Sequence, residues 1–234
     1  MSMKLQDFFA EAFYINLDKR TDRRAEFEAE MTRVGLGGFV KRFPAPVDLT
    51  HLSKDDYARH RACTHAHYQL VKYAAEKDLP NILIFEDDAY FYDDGEQPGL
   101  SIVESALDTL AAIPDWGIFY LGGFPLVVPD RPAGELAVVS PNLVRISAAF
   151  TAHAWAFNKS AYQYLLEKDP EYTWPLDGWM TTQFHIPKYI AYPLAVPQRF
   201  GLSDLAAGTH GCTIGEYHDH FRKLTFELER TGQL

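Results

Sequence analysis

Asn81-Ile-Leu-Ile-Phe-Glu-Asp-Asp-Ala89 decides how the rest of this chain is read. The apolar run Ile82 to Phe85 fits a strand buried on both faces, as in a parallel sheet covered by helices. It ends in three consecutive carboxylates, Glu86, Asp87 and Asp88. Open α/β sheets place their ligand sites at the C-terminal ends of such strands. Acids packed this closely repel one another unless a cation neutralises them or their pKa values rise. A hard divalent ion with oxygen ligands is the simplest resolution. For the tripeptide alone, a solvated acidic loop is the competing reading.

Outward from this stretch, strands and helices alternate. Ala12 to Leu17 is rich in β-branched and aromatic residues and predicts a first strand. Phe27, Met31 and Val34 follow at helical spacing, with Thr21 or Asp22 near the start and Gly35 at the end. A second helix is expected from about Lys54 to Lys77, with Ser53 and Asp56 as a capping box and Ala62, Ala66, Leu70 and Tyr73 facing inward. Beyond the acids, Ser101 and Glu104 suggest another capping box ahead of a helix that Pro114 stops, and Gly117 to Leu121 supplies a further strand. This alternation predicts an α/β fold with a mainly parallel central sheet flanked by helices. Gly122 to Glu135 reads as a long loop bordering the site, a short hairpin is expected around Pro141-Asn142, and Ala154–Phe157 predicts another strand. A last helix carries Tyr217, Phe221, Leu224 and Leu228 on one stripe. No repeat or linker interrupts the pattern, so residues 1–234 are expected to form one domain.

The composition narrows the function. Lys plus Arg number 22 against 32 Asp plus Glu, a formal charge of −10, which argues against a nucleic-acid partner. A metal and a few arginines can still hold a small anion locally. Two cysteines, Cys63 and Cys212, are too few for a disulfide framework; they are expected to pack as small apolar groups in a reducing cytoplasm. The first residues lack the apolar core of a signal peptide, and no window has the length of a membrane span. Peripheral association with a membrane stays compatible with this.

Four separated segments together resemble glycosyltransferase family 25, which includes lipopolysaccharide sugar transferases and the catalytic domains of collagen galactosyltransferases. Tyr14-Ile-Asn-Leu-Asp-Lys-Arg-Thr-Asp-Arg-Arg24 resembles the family's opening strand and turn. Ala62-Cys-Thr-His65 resembles its Gly-Cys-x-x-Ser-His helix start, and Ile84 to Ala89 its acidic motif. Pro197-Gln198 followed by Ser203-Asp204-Leu205 resembles its late Gln and Ser-Asp-Ile signature. Weaker matches lie at Tyr120-Leu-Gly122, Thr151 to Phe157 and Pro175-Leu-Asp177, so that the ordered set covers roughly residues 13 to 205. Val47-Asp48-Leu49 departs from the family's Ala-x-Asp-Gly.

The resemblance implies a GT-A fold and an inverting transfer of a hexose, galactose or glucose favoured, from a UDP-sugar donor to a saccharide or hydroxylated acceptor. It also implies assistance by Mn²⁺ or Mg²⁺. By that analogy Asp88 is the direct metal ligand, with Glu86 on the metal or its water and His210 completing the shell. Donor contacts are expected from Asn16, Leu17, Arg20, Arg23, Asp48, His65, Glu86, Asp87, Ser203 and Asp204. Arg20 and Arg23 suit a pyrophosphate because guanidinium is a planar, two-pronged donor, although Asp18, Asp22 and Glu26 offer them structural partners instead. Asp177 is the candidate general base for the acceptor hydroxyl, or else a helix cap. Two other classes compete: a catalytically silent sugar- or nucleotide-binding domain, and a metal-dependent phosphohydrolase.

Overall fold

The computed structural model describes residues 2–45, 57–127, 136–167, 175–201, 204 and 212–234, with residues 57–59 described by backbone alone. A short helix, α1 (Leu5–Phe8), precedes β1 (Ala12–Asn16), α2 (Thr21–Arg33), β2 (Val40–Pro44), α3 (Tyr57–Glu76), β3 (Asn81–Glu86), α4 (Gly99–Leu110) and β4 (Ile118–Tyr120). Next come β5 (Phe124–Pro125), β6 (Ala137–Ser140), β7 (Leu143–Ile146), β8 (Ala149–Phe150) and β9 (Ala154–Asn158). The chain closes with α5 (Lys159–Leu166), α6 (Leu176–Met180), β10 (Lys188–Ala191) and α7 (Ile214–Arg230).

Eight strands form one sheet in the order β2-β1-β3-β9-β4-β10-β7-β6. β2, β1, β3, β4, β10 and β6 point one way; β9, between β3 and β4, and β7 run against them. The mainly parallel expectation thus holds for strand direction, with β9 as a central exception. Between β4 and β9 the described chain contains strands and turns but no crossover helix of the kind that returns a strand in parallel. β9 accordingly enters antiparallel.

Both faces of the sheet are covered, and the pleat sorts side chains between them. Leu83, Phe85, Phe119 and Tyr14 meet Phe27 and Met31 of α2 and Ile102, Val103 and Leu107 of α4. Ile82, Ile84, Tyr120, Trp155 and Phe157 meet Ala66 and Leu70 of α3, Leu165 of α5 and Tyr217 and Phe221 of α7. The architecture is the helix-flanked α/β sheet expected of a GT-A-type transferase. Among the described residues, no helix is long and apolar enough to cross a membrane.

Local expectations fared unevenly. α4 begins at Gly99 behind Pro98, so Ser101 and Glu104 lie inside the helix and form no capping box. Its entry is set by crowding instead: a Cβ on Gly99 would sit 2.2 Å from the Ala195 carbonyl oxygen. Glu104 is buried and pairs with Lys4 at 2.8 Å. A capping box does form at α7, where Thr213 and Glu216 cap reciprocally. The expected Ser53–Asp56 box lies outside the described residues. The expected loop after β4 is partly strand, because Phe124 and Pro125 pair with Phe150 and Ala149; its residues 128–135 lie outside the described chain.

Candidate active site

The site gathers where β1 and β3 end side by side, with Ile15 opposite Glu86. Alternation sends the strand-end acids in different directions. Asp87 meets α2: Arg23, in the first turn of that helix, donates from one guanidinium nitrogen to Asp87 at 2.9 Å and to Asp88 at 3.1 Å. Asn16 donates to the other Asp87 oxygen at 2.7 Å and to the Arg20 carbonyl at 3.1 Å. Its side-chain oxygen accepts from Arg42 at 3.0 Å. The buried Asn16 amide therefore orients Asp87.

Asp88 is held from the far end of the chain. Gln198 donates to it at 3.3 Å, and Gln198 in turn accepts from the Tyr217 hydroxyl of α7 at 3.1 Å. The Arg199 amide donates to the Asp88 carbonyl at 2.7 Å, and Ala89 pairs with Gln198 as an isolated bridge. Burial, then repulsion from Glu86 and Asp87, lifts the Asp88 carboxyl to about 7 despite Arg23 and Gln198. Burial also raises Asp87, against the bonds from Asn16 and Arg23.

Glu86 points the other way, toward α3. Its Oε1 meets a ring nitrogen of His67 at 3.2 Å and the Cys63 thiol at 3.4 Å. Burial pushes this carboxyl up, but His67, followed by His153 and Cys63, more than offsets it and leaves Glu86 below the usual carboxylate range. The Cys63 thiol is pushed well up by burial and by the neighbouring Glu86, Asp177 and Asp88 charges.

Asp177 lies in the first turn of α6, behind the N-cap residue Pro175, so it is not the helix cap. One of its oxygens accepts from the Thr151 amide at 2.9 Å and the other from the Gly178 amide at 2.8 Å. Thr151 has φ 73°, a left-handed conformation rarely adopted by a β-branched residue. Its amide donates to Asp177 from this backbone. His153 bridges the same segment to the late chain, at 3.1 Å from the Thr151 hydroxyl and 2.7 Å from the Val196 carbonyl. Burial lowers the His153 pKa to about 4, so its ring is neutral. Here Gly122 is required, since a Cβ would fall 1.5 Å from the Val196 carbonyl oxygen.

Other sequence candidates fall elsewhere. Arg20 pairs with Asp22 and with Asp204, which also meets Lys19 at 3.1 Å. Among the described contacts, none of these groups touches the strand-end acids. Leu17 is half-buried in the turn after β1, where its carbonyl accepts from Arg20. His65 is half-buried on α3, whereas His67 reaches Glu86. Asp48, Ser203 and His210 lie outside the described residues. Cys63, expected as an apolar filler, is at the site. Its spacing of four from His67 was the available signal, because residues four apart share a helix face. The roles of His153 and Tyr217 depend on contacts across the fold and left no such mark.

Residues 9–109 match the family described as glycosyltransferase family 25 (LPS biosynthesis protein). No curated protein matches the chain significantly. Similar solved structures include a glycosyltransferase involved in glycosylation of the major capsid of PBCV-1. It is 10% identical, with 75% of this chain and 76% of that one covered and a TM-score of 0.41. A protein from STIV is 8% identical over 87% of this chain and 97% of that one, with a TM-score of 0.44. A mannose-1-phosphate geranyltransferase from Thermus thermophilus is 12% identical over 76% of this chain and 58% of that one, with a TM-score of 0.39. The matched segment carries both the strand-end acids and the arginine that bridges them.

Proposed function

We propose that the chain transfers a hexose, galactose or glucose, from a UDP-sugar to a hydroxyl of a saccharide or other hydroxylated acceptor, with inversion and with Mn²⁺ or Mg²⁺ bound. The observation that carries this reading is the cluster of Glu86, Asp87 and Asp88, largely buried at one strand end, with Arg23 bridging two of the three. The donors are hard oxygens and their negative charge exceeds that of the bridging arginine, which suits a divalent cation. Asp88 and Glu86 would hold it, and such an ion supplies neutralisation of the diphosphate leaving group.

The remaining work falls to the chain itself. Arg23 keeps two carboxylates together beside the donor position and adds positive charge there. Asn16 fixes Asp87. Asp177, oriented by the Thr151 amide, removes the acceptor hydroxyl proton on the face opposite the departing diphosphate. Arg20 and Asp204 form the donor-side rim. The family description favours a lipopolysaccharide saccharide as acceptor.

Calorimetry with UDP, with and without Mn²⁺, tests the donor and metal together. Binding only in the presence of Mn²⁺, with slow hydrolysis of UDP-galactose or UDP-glucose when acceptor is omitted, is the expected outcome. UDP affinity unaffected by EDTA would remove the metal from the reading. Binding without any turnover of nucleotide sugars points to a silent binding domain, and preferential cleavage of UDP itself to a phosphohydrolase.

A further inference from the structure

Cys63, His67 and Glu86 bring a thiol, a ring nitrogen and a carboxylate oxygen within 4.8 Å of one another. Such a spacing invites a soft metal ion such as Zn²⁺. The placement of protons argues against it. Trp155 Nε1 can only donate, and it lies 3.2 Å from His67 Nδ1. Nδ1 therefore carries the lone pair, and the proton of the neutral ring sits on Nε2, aimed at Glu86 Oε1. Both ring nitrogens are spent. The Cys63 thiol donates to the same oxygen. Among the described contacts, no hydrogen bond falls on Oε2 of Glu86.

We infer that Trp155, His67 and Cys63 form a clamp that occupies Oε1 of Glu86 and presents Oε2 to the ligand. The clamp rests on the reading of Glu86 as a donor-side carboxylate. Its physical purpose is selection of one oxygen and one rotamer. A glutamate has three side-chain torsions to order, and a carboxylate bonded at one oxygen keeps the other aimed. The indole sets the imidazole tautomer from a position in the sheet, since Trp155 belongs to β9 and is fully buried, as is His67. β9 pairs directly with β3, with Trp155 opposite Ile84. The antiparallel insertion of β9 is thus what carries the indole to α3. His67 and Trp155 are positioning residues: they act through Glu86 and touch no substrate.

Nitrogen NMR of the histidine-labelled, full-length protein reads the tautomer directly. Nε2 protonated and Nδ1 bare is the expected state; Nδ1 protonated overturns the clamp. Calorimetry with UDP and Mn²⁺ reads its effect. His67→Leu should weaken binding about 10- to 100-fold, the usual consequence of losing a group that orients a ligating carboxylate. His67→Gln places an amide nitrogen near the Nε2 position and should stay within about threefold of wild type, because the donor on Oε1 is retained. Unchanged binding in His67→Leu, or equal loss in both variants, overturns the inference. Where His67→Leu fails to melt cooperatively, Trp155→Phe replaces it: the ring stays, Nδ1 loses its donor, and a mixed tautomer is expected, a single unchanged one being the contrary result. Tight Zn²⁺ binding with a thiolate absorbance that disappears in Cys63→Ser would show a metal centre instead. Should wild type bind no UDP with Mn²⁺, the donor reading fails, while the nitrogen spectrum still decides the clamp.

Discussion

Glu86 and Asp87 are neighbours in sequence and leave β3 on opposite sides, and the two sides treat a buried carboxylate differently. On the α2 side, Asp87 meets a permanent cation, Arg23, and an amide, Asn16. On the α3 side, Glu86 meets a neutral thiol and an imidazole held by an indole. Asp87 and Arg23 hold one another, although burial still raises the Asp87 carboxyl. Charge on Glu86 is stabilised by His67, with His153 and Cys63 behind it. Asp88 stands between the two regimes, touched by Arg23 from one side and by Gln198 from the late chain.

Asp88 offers the sharpest break, because it answers to both sides. Asp88→Asn should abolish Mn²⁺-dependent UDP binding while the fold persists; unchanged affinity would refute its assignment. The same variant tests the electrostatics without ligand. The folded-state pKa of Asp88 is raised from 3.8 to about 7. The folded protein therefore holds this proton more tightly than the unfolded chain, and metal-free stability should fall as pH rises from about 4 to about 7. The loss attributable to Asp88 is on the order of 4 kcal/mol, and urea denaturation should show a flatter pH profile in Asp88→Asn. A slope identical to wild type would mean that the charge is relieved elsewhere.

Arg23→Ala attacks the α2 side alone. Two mostly buried carboxylates would lose their shared cation, a change worth roughly 2–4 kcal/mol in stability, measurable by the urea midpoint. UDP should weaken more than uridine, and equal weakening of both would confine Arg23 to a structural role. The smallest expected effect belongs to Tyr217→Phe, which removes the hydroxyl donated to Gln198. It should cost about 0.5–1.5 kcal/mol and loosen Asp88 modestly. A loss of UDP binding as large as that of Asp88→Asn would show that α7 governs the site more directly than its geometry indicates.

How much of this was legible in the sequence depended on how local each signal is. Ile82 to Phe85 announced a strand buried on both faces, and the charges after it announced a strand end, because both readings need only adjacent residues. Arg23 was singled out by its place in the opening motif, whereas its partners Asp87 and Asp88, more than sixty positions away, were not. The direction of β9 was not, since strand pairing is decided by connections and neighbours far away in the chain. The start of α4 was misplaced because Gly99 is selected by the Ala195 carbonyl, to which no local pattern refers. His67 was overshadowed by His65 until α3 turned one ring toward Glu86. Asp204 was expected on the donor and is seen paired with Arg20 and Lys19, a partner choice that spans 184 residues for Arg20.

The line from Tyr217 through Gln198 to Asp88 has a consequence for the order of assembly. Gln198 is 110 positions from Asp88, and Tyr217 lies 19 further on. Contacts so distant in the chain form late, because the intervening loop must close before they return any free energy. A chain emerging from its N-terminus carries β1, α2, β3 and all three carboxylates well before Gln198 exists. The acids are synthesised early and closed last. Until α7 docks, the chain can possess its helices and most of its sheet while still lacking a finished site.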